Sequence, residues 1–248
     1  MELLKGNITG VDSPEKPAKK KKVKVLRPSQ IINKKRQYIA LGGEIGASLG
    51  QVEKGTKIFI TGPSYSGKSS FIAKLCKAFA DHMLVDYNNH EEKGGDAGTV
   101  KNKLSQAEID SSFDSRIRFY KAPIVSDHEE SWDDILSKKR SAGFTVLDSV
   151  QHAEMDKKQY LYYTEKYCNP RRGKTMAFIG HWVKNDFMKF IKHDCDVKIE
   201  VMKFVVRVES RLEGATNKPI VLWEPRARKL WGKNYQKVIK GEYWPGVK

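Results

Sequence analysis

From Thr56 onward the chain alternates short apolar runs with amphipathic stretches. "TKIFIT" is rich in β-formers, and "SSFIAKLCKAFAD", Ser69 to Asp81, sets Phe71, Ile72, Leu75 and Phe79 at helical spacing. Further apolar runs at Met83–Tyr87, in "GFTVLDSVQH" (Gly143–His152), at Thr175–Gly180 and in "PIVLWE" predict strands. Val197 to Glu209 alternates apolar and charged residues, the pattern of an antiparallel ladder. Together these predict an α/β fold: a mostly parallel sheet flanked by helices, with antiparallel strands at the C-terminal edge.

Outside this ordered part the pattern fades. "GVDSPEKPAKKKKVKVLRP", residues 10–28, holds three prolines, a lysine run and few apolar groups before Val23. Such a segment buries too little surface to offset the entropy of ordering it. The division expected is a basic arm over 1–40, a core over 41–231 and a basic, aromatic tail over 232–248. Within the lysine run, "KKKKVK" reads as a nuclear-import patch, a phosphate-contacting tail or a solvated charge run. In the tail, Trp231, Tyr235, Tyr243 and Trp244 stand among lysines, suited to stacking on single strands, docking on a neighbouring subunit or covering the chain's own core.

Charge sharpens the division. The 248 residues carry a net charge of +16. Eleven Lys and Arg face three Asp and Glu over residues 1–40, seventeen face nineteen over 41–170, and eighteen face eight over 171–248. Charge segregated to the ends makes a positive field that attracts polyanions, so nucleic acid is the expected partner. No apolar run approaches the ~20 residues that span a bilayer, and no membrane partner is expected. The N-terminus lacks the basic-then-apolar order of a secretory signal, and Cys76, Cys168 and Cys195 are odd in number and far apart, so a cytoplasmic, reducing compartment is expected.

The chemistry starts at "TGPSYSGKSS". Gly62, Pro63, Ser64, Tyr65, Ser66, Gly67, Lys68, Ser69 and Ser70 lie between a strand and a helix, the context that a phosphate-binding loop requires. Gly62 and Gly67 let the backbone curl its N–H groups toward a β-phosphate, Lys68 bridges the β- and γ-oxygens, and the Ser69 hydroxyl suits Mg²⁺. Chance alone gives such a motif in roughly one chain of this length in a hundred, and the flanking elements make chance rarer still. The expected ligands are therefore ATP and Mg²⁺. Asp148, at the tip of an apolar run, suits the Mg²⁺ water shell. Glu91 and Glu92 follow the preceding strand, where a general base would polarise water; the same pair would also suit a solvated acidic loop.

These segments jointly resemble the RecA/RadA/DnaB-type ATPases, over roughly residues 41–231. The resemblance rests on "GPSYSGKSS", "NHEE", "VLDSVQ", "IGHWVK" followed by "KHDCDVKIEV", and "ESRLEG" before a last strand. It implies a RecA-like core in which Glu91 or Glu92 is the catalytic acid, Asp148 the Mg²⁺-side acid, and Gln151 or His181 a sensor of the γ-phosphate. It also implies assembly of the chain with itself into a hexameric ring or filament. RadA-like chains have Lys-Asn-Arg where this sequence reads Glu209-Ser210-Arg211, so only Arg211 is left to act on a neighbour's nucleotide. The family places a DNA-contacting loop after Lys184; here Phe187, Lys189, Phe190 and Lys192 interleave rings and cations, a pattern suited to single-stranded DNA and equally to a short helix with core phenylalanines.

With no lid, zinc finger or separate DNA-binding domain in view, the chain is similar to the short RecA-like proteins of phages and mobile elements. The activity implied is DNA-stimulated ATP hydrolysis in recombination, annealing, repair or replication. A non-hydrolysing scaffold or loader would have the same residues, and a small-molecule kinase, with "NPRRGK" as its lid, would share the loop but need no water-activating glutamate. "HDCDV" does not suit a metal, because adjacent residues on a strand point to opposite faces.

Overall fold

A computed structural model describes residues 25–33, 35–91, 98–168, 173–181 and 185–245. The lysine run at 19–24, Glu92, the residues 169–172 of the supposed lid, and Lys184 lie outside the described residues. Contacts divide the chain after Arg36. In the first unit the described structure is one short helix, α1 (Pro28–Ile32), whose proline sits in the first turn, where no N–H is needed.

The second unit begins with a small antiparallel pair, β1 (Tyr38–Ile39) and β2 (Val52–Glu53), with α2 (Gly43–Leu49) between them. Strands and helices then alternate: β3 (Lys57–Thr61), α3 (Lys68–Ala80), β4 (Val85–Asn89), α4 (Gly98–Gln106), β5 (Ile117–Tyr120), α5 (Trp132–Ser137), β6 (Phe144–Asp148), α6 (Lys157–Tyr167), β7 (Thr175–Ile179) and α7 (Asp186–Asp194). The chain closes with β8 (Val197–Met202), β9 (Val205–Ser210), β10 (Ile220–Val221), α8 (Glu224–Trp231) and α9 (Tyr235–Ile239). Eight strands form one sheet in the order β10-β9-β8-β3-β7-β6-β4-β5. The six from β8 to β5 run parallel, and β9 and β10 add an antiparallel edge. The expected mostly parallel α/β sheet with an antiparallel C-terminal edge is what forms.

The central strands are buried on both faces, which is why they read as near-continuous apolar runs. Ile58, Ile60, Val146, Ile179 and Ile199 pack with Phe71, Leu75 and Phe79 of α3. On the other face Phe59, Leu147 and Phe178 pack with Trp132, Tyr160, Tyr163, Met188 and Ile191 of α5, α6 and α7. Because the six strands are parallel, all their C-terminal ends share one edge of the sheet, and the segments after β3, β4, β6 and β7 meet there. Ligands of open α/β sheets bind outside such an edge.

Two expectations shift. The strand expected at Met83–Tyr87 runs instead over Val85–Asn89, and its polar residues are buried because β5 and the segment after it satisfy them. Arg118 pairs with Asp86 through two hydrogen bonds of 2.7 and 2.9 Å, while Asn88 donates to the Ala122 carbonyl and accepts from its N–H. The ladder expected over Val197–Glu209 is two strands, β8 and β9, joined at Lys203 and Phe204, both with φ near +50 to +60°. In the tail, Trp231, Tyr235, Val238 and Trp244 pack on Val205 and so cover the chain's own sheet edge. No helix among the described residues is long and apolar enough to cross a membrane.

Candidate nucleotide site

The loop between β3 and α3 is shaped by its two glycines. A Cβ at Gly62 would lie 2.1 Å from the carbonyl oxygen of Val201, so any side chain there collides with β8. Gly67 caps α3 at φ +98°, and a Cβ would come within 3.1 Å of both Phe204 and Leu222. Between them Pro63, Ser64 and Tyr65 are exposed, Tyr65 almost completely (99%) and at φ +59°. Ser66 is buried, and its carbonyl accepts the Phe204 N–H at 2.8 Å, tying the loop to the β8–β9 turn.

Lys68 folds back over the loop, its Nζ donating to the carbonyls of Gly62 at 2.8 Å and Pro63 at 3.0 Å. Burial lowers its pKa from the usual lysine value, an effect opposed by Glu91 and Asp148. Ser69 and Ser70 follow in the first turn of α3; Ser70 Oγ donates to Gln106 of α4 at 3.1 Å, docking α4 against the loop's helix. The free N–H groups and partial positive charge of that turn favour an anion in front of it.

Asp148 ends β6 and is buried. Tyr87 donates to its Oδ2, while Oδ1 is buried with no partner among the described residues. Burial first, and then Glu91, raises its carboxyl to about 7. A carboxylate oxygen sealed from water and left without a donor is a costly arrangement that a cation would relieve. Oxygen donors of this kind, the Asp148 carboxylate and the Ser69 hydroxyl in the first turn of α3, fit Mg²⁺, a hard cation that takes oxygen ligands and retains its own waters. Cation and triphosphate would supply charge neutralisation; the protein supplies the two oxygens and Lys68.

Glu91 joins this group through its backbone, its N–H donating to the Asp148 carbonyl at 3.0 Å. Its side chain stands 3.8 Å from His181 Nε2. Gln151 accepts the His181 N–H at a long 3.4 Å, and the rings of His152 and His181 meet edge-on at 5.4 Å. Burial, with help from Lys68 and His152, lowers the His181 pKa, so its ring is neutral at pH 7 and can donate or accept according to tautomer. Glu91, Asp148, Gln151, His181 and Lys68 are thus brought to one strand-end cluster.

Arg211 is not. It follows β9, and its N–H donates to the Asp196 carbonyl just before β8 begins. That places it level with Lys57, the first residue of β3, about 15 Å along the strands from the loop at Gly62. It is exposed, and its guanidinium donates to the His193 carbonyl at 2.8 Å.

The described part of the segment expected to contact DNA is the helix α7. Phe187 and Phe190 lie on α7, half-buried against the second core cluster, each edge-on to Tyr160 at 6.2 and 6.0 Å. Lys157 covers the Phe190 ring at 4.2 Å. Lys192 is paired with Glu200 at 2.7 Å and Lys189 with Asp186 at 2.9 Å. The alternation of rings and cations lies on a helix with one face toward the core, the second of the two readings the sequence allowed.

Several site residues gave no warning in the sequence. Tyr87 sits inside a strand that read as ordinary. Phe204 and His152 gain their places from pairings far along the chain.

No family model matches the sequence, and no curated protein matches it. Solved structures do. The flagellar accessory protein FlaH of Methanocaldococcus jannaschii superposes with a TM-score of 0.56 at 10% identity, over 72% of this chain and 90% of that one. The KaiC-like protein PH0186 of Pyrococcus horikoshii OT3 superposes at 0.52 and 14% identity, over 71% and 89%. The class is defined at the level of fold: a mostly parallel, helix-flanked α/β sheet with an antiparallel edge, similar to that of these two proteins. At such identities the likeness is one of fold.

Proposed function

We propose that this chain binds and hydrolyses ATP with Mg²⁺ and couples that cycle to DNA, in the first instance single-stranded. What carries the reading is one buried carboxylate: Asp148 keeps an unpartnered oxygen at the sheet edge where Lys68 and Ser69 open a phosphate site. Lys68, released from the Gly62 and Pro63 carbonyls, would hold the β- and γ-phosphates. Ser69 and Asp148 would hold Mg²⁺, and Glu91 or Glu92 would take a proton from the attacking water. Gln151 and His181 stand beside Glu91 and would respond to loss of the γ-phosphate. Arg211, too far from its own loop, would serve a second copy's nucleotide in a ring or filament. The segregated positive charge supports a nucleic-acid partner.

The experiment is ATP turnover with and without single-stranded DNA, alongside a mass measurement with and without ATP. Turnover that depends on Mg²⁺ and rises with DNA is expected. Tight ATP binding with no turnover under any condition would mean a nucleotide-gated scaffold instead.

A further inference from the structure

After β10 the chain ends in two short helices whose two sides differ completely. Ala227 and Trp231 of α8 and Tyr235 and Val238 of α9 face the sheet and pack with Val205. Trp244 closes the cluster, its ring 5.5 Å from Trp231 and its Nε1 donating to Glu200 at 2.8 Å. Arg226, Lys229, Lys233, Lys237 and Lys240 recur at spacings of three and four, out of step with the buried residues, and all five are exposed. At 100° per residue Arg226 and Lys229 on α8 and Lys237 on α9 point away from the buried residues of their helices, while Lys233 lies in the 3₁₀ turn Gly232–Asn234 between them and Lys240 caps α9.

Elsewhere some cations are paired and others, Lys139, Arg140 and Lys158 among them, have no carboxylate partner among the described residues; what sets this surface apart is how closely its exposed cations follow one another. Lys57, Lys166, Lys189 and Lys192 each have a carboxylate partner, and so does Arg228 with Glu224. The five stripe residues have no carboxylate partner among the described residues. From Glu224 to Glu242 six Lys and Arg face two Glu. The cap is also held near the phosphate loop: Arg226 stacks over Phe204 at 5.8 Å, and Phe204 is the residue bonded to Ser66.

We propose that the outer face of α8 and α9, with Lys229, Lys233 and Lys237 at its centre, is the surface that binds the phosphodiester backbone of nucleic acid. This rests on the nucleic-acid part of the proposed function and moves its site from α7 to the C-terminal cap. A row of unpaired cations on a rigid, core-anchored element meets a row of phosphates without ordering a flexible tail first, and each phosphate neutralised releases condensed counterions. Contacts of that kind position a strand without reading its bases.

The test uses the full chain and a fluorescently labelled oligo(dT), with anisotropy measured across a salt series. The variant Lys229→Glu/Lys233→Glu/Lys237→Glu is set against Lys139→Glu/Arg140→Glu/Lys158→Glu, which removes the same charge from exposed positions elsewhere. The cap variant is expected to lose about tenfold or more in affinity at low salt and to flatten the slope of log K against log salt by about 2, at about 0.7 per lost contact. The other variant should bind nearly as the parent does, with ATP affinity and melting temperature equal in all three. Equal losses in both variants would reduce the effect to net charge and overturn the proposal, and so would an undiminished cap variant. A parent that binds phosphatidylserine vesicles but no oligonucleotide would overturn it in favour of a lipid surface, and would also remove the nucleic-acid part of the proposed function. If the parent binds DNA and the cap variant binds it equally, only the placement on the cap fails.

Discussion

Tyr87 donates its hydroxyl to one oxygen of Asp148, and the other oxygen of the same carboxylate is buried without a partner. The tyrosine orients the acid and leaves half of it unsatisfied, an arrangement stable only if the missing partner is a ligand or the acid is protonated.

This has a consequence for stability. The Asp148 carboxyl is raised from 3.8 to about 7, chiefly by burial. The folded chain therefore binds more protons than the unfolded one between those values, and stability falls as pH rises through that window. A shift of about 3 units is worth at most about 4 kcal/mol. In the absence of Mg²⁺, the melting temperature of Asp148→Asn relative to the parent should climb between pH 4 and pH 8, and Mg²⁺ with nucleotide should erase that advantage. A pH-independent difference would show that the carboxyl titrates normally.

Lys68→Ala and Glu91→Gln separate binding from chemistry. In the proposed site the lysine would touch phosphate, so its loss should abolish turnover and weaken ATP binding. The glutamine variant should bind ATP as the parent does and turn over at least about a hundredfold more slowly if Glu91 is the base, as general bases are typically worth 10²–10⁴. Nucleotide titration beside a phosphate-release assay reads both. Normal turnover in Glu91→Gln would shift the role to Glu92.

At Gly62 the collision with Val201 is between backbone and Cβ, so no rotamer relieves it. Gly62→Ala should destabilise the chain by about 2 kcal/mol or more through the forced shift of β8 or the loop. Chemical denaturation measures this directly, and a loss below about 0.5 kcal/mol would mean that the loop moves aside freely.

Arg211→Ala should leave folding and ATP affinity nearly intact and remove most turnover, because an arginine supplied in trans is worth on the order of 10³ or more. Mixed with Lys68→Ala, it should regain part of the activity, since some interfaces then pair an intact loop with an intact arginine. A mixture that co-assembles yet stays as inactive as its parts would exclude Arg211.

The loop between β3 and α3 and the tip of β6 were legible as structure because their signals are local: Gly62, Gly67, Lys68 and Asp148 stand directly beside the elements that place them. What escaped depended on partners far away. Asn88 looks like the start of a polar turn until Ala122, about thirty residues on, arrives to satisfy it. Phe187 and Phe190 look like a stacking surface until Tyr160 is placed beneath them. The same sequence of rings and cations suits both roles, and only tertiary packing decides between them. In the C-terminal tail the aromatic residues and lysines were visible, but not that they divide between opposite sides of two helices.

The distance between Arg211 and its own phosphate loop also sets how activity would scale with assembly. If Arg211 serves a neighbour's loop as proposed, each copy would carry one half of a reaction centre at each end of its parallel strands. An open chain of n copies would then complete n−1 centres and leave one terminal loop idle, whereas a closed ring would complete all n. Specific activity that keeps rising with concentration marks growth by addition at open ends, and activity that reaches a plateau at a fixed mass marks closure.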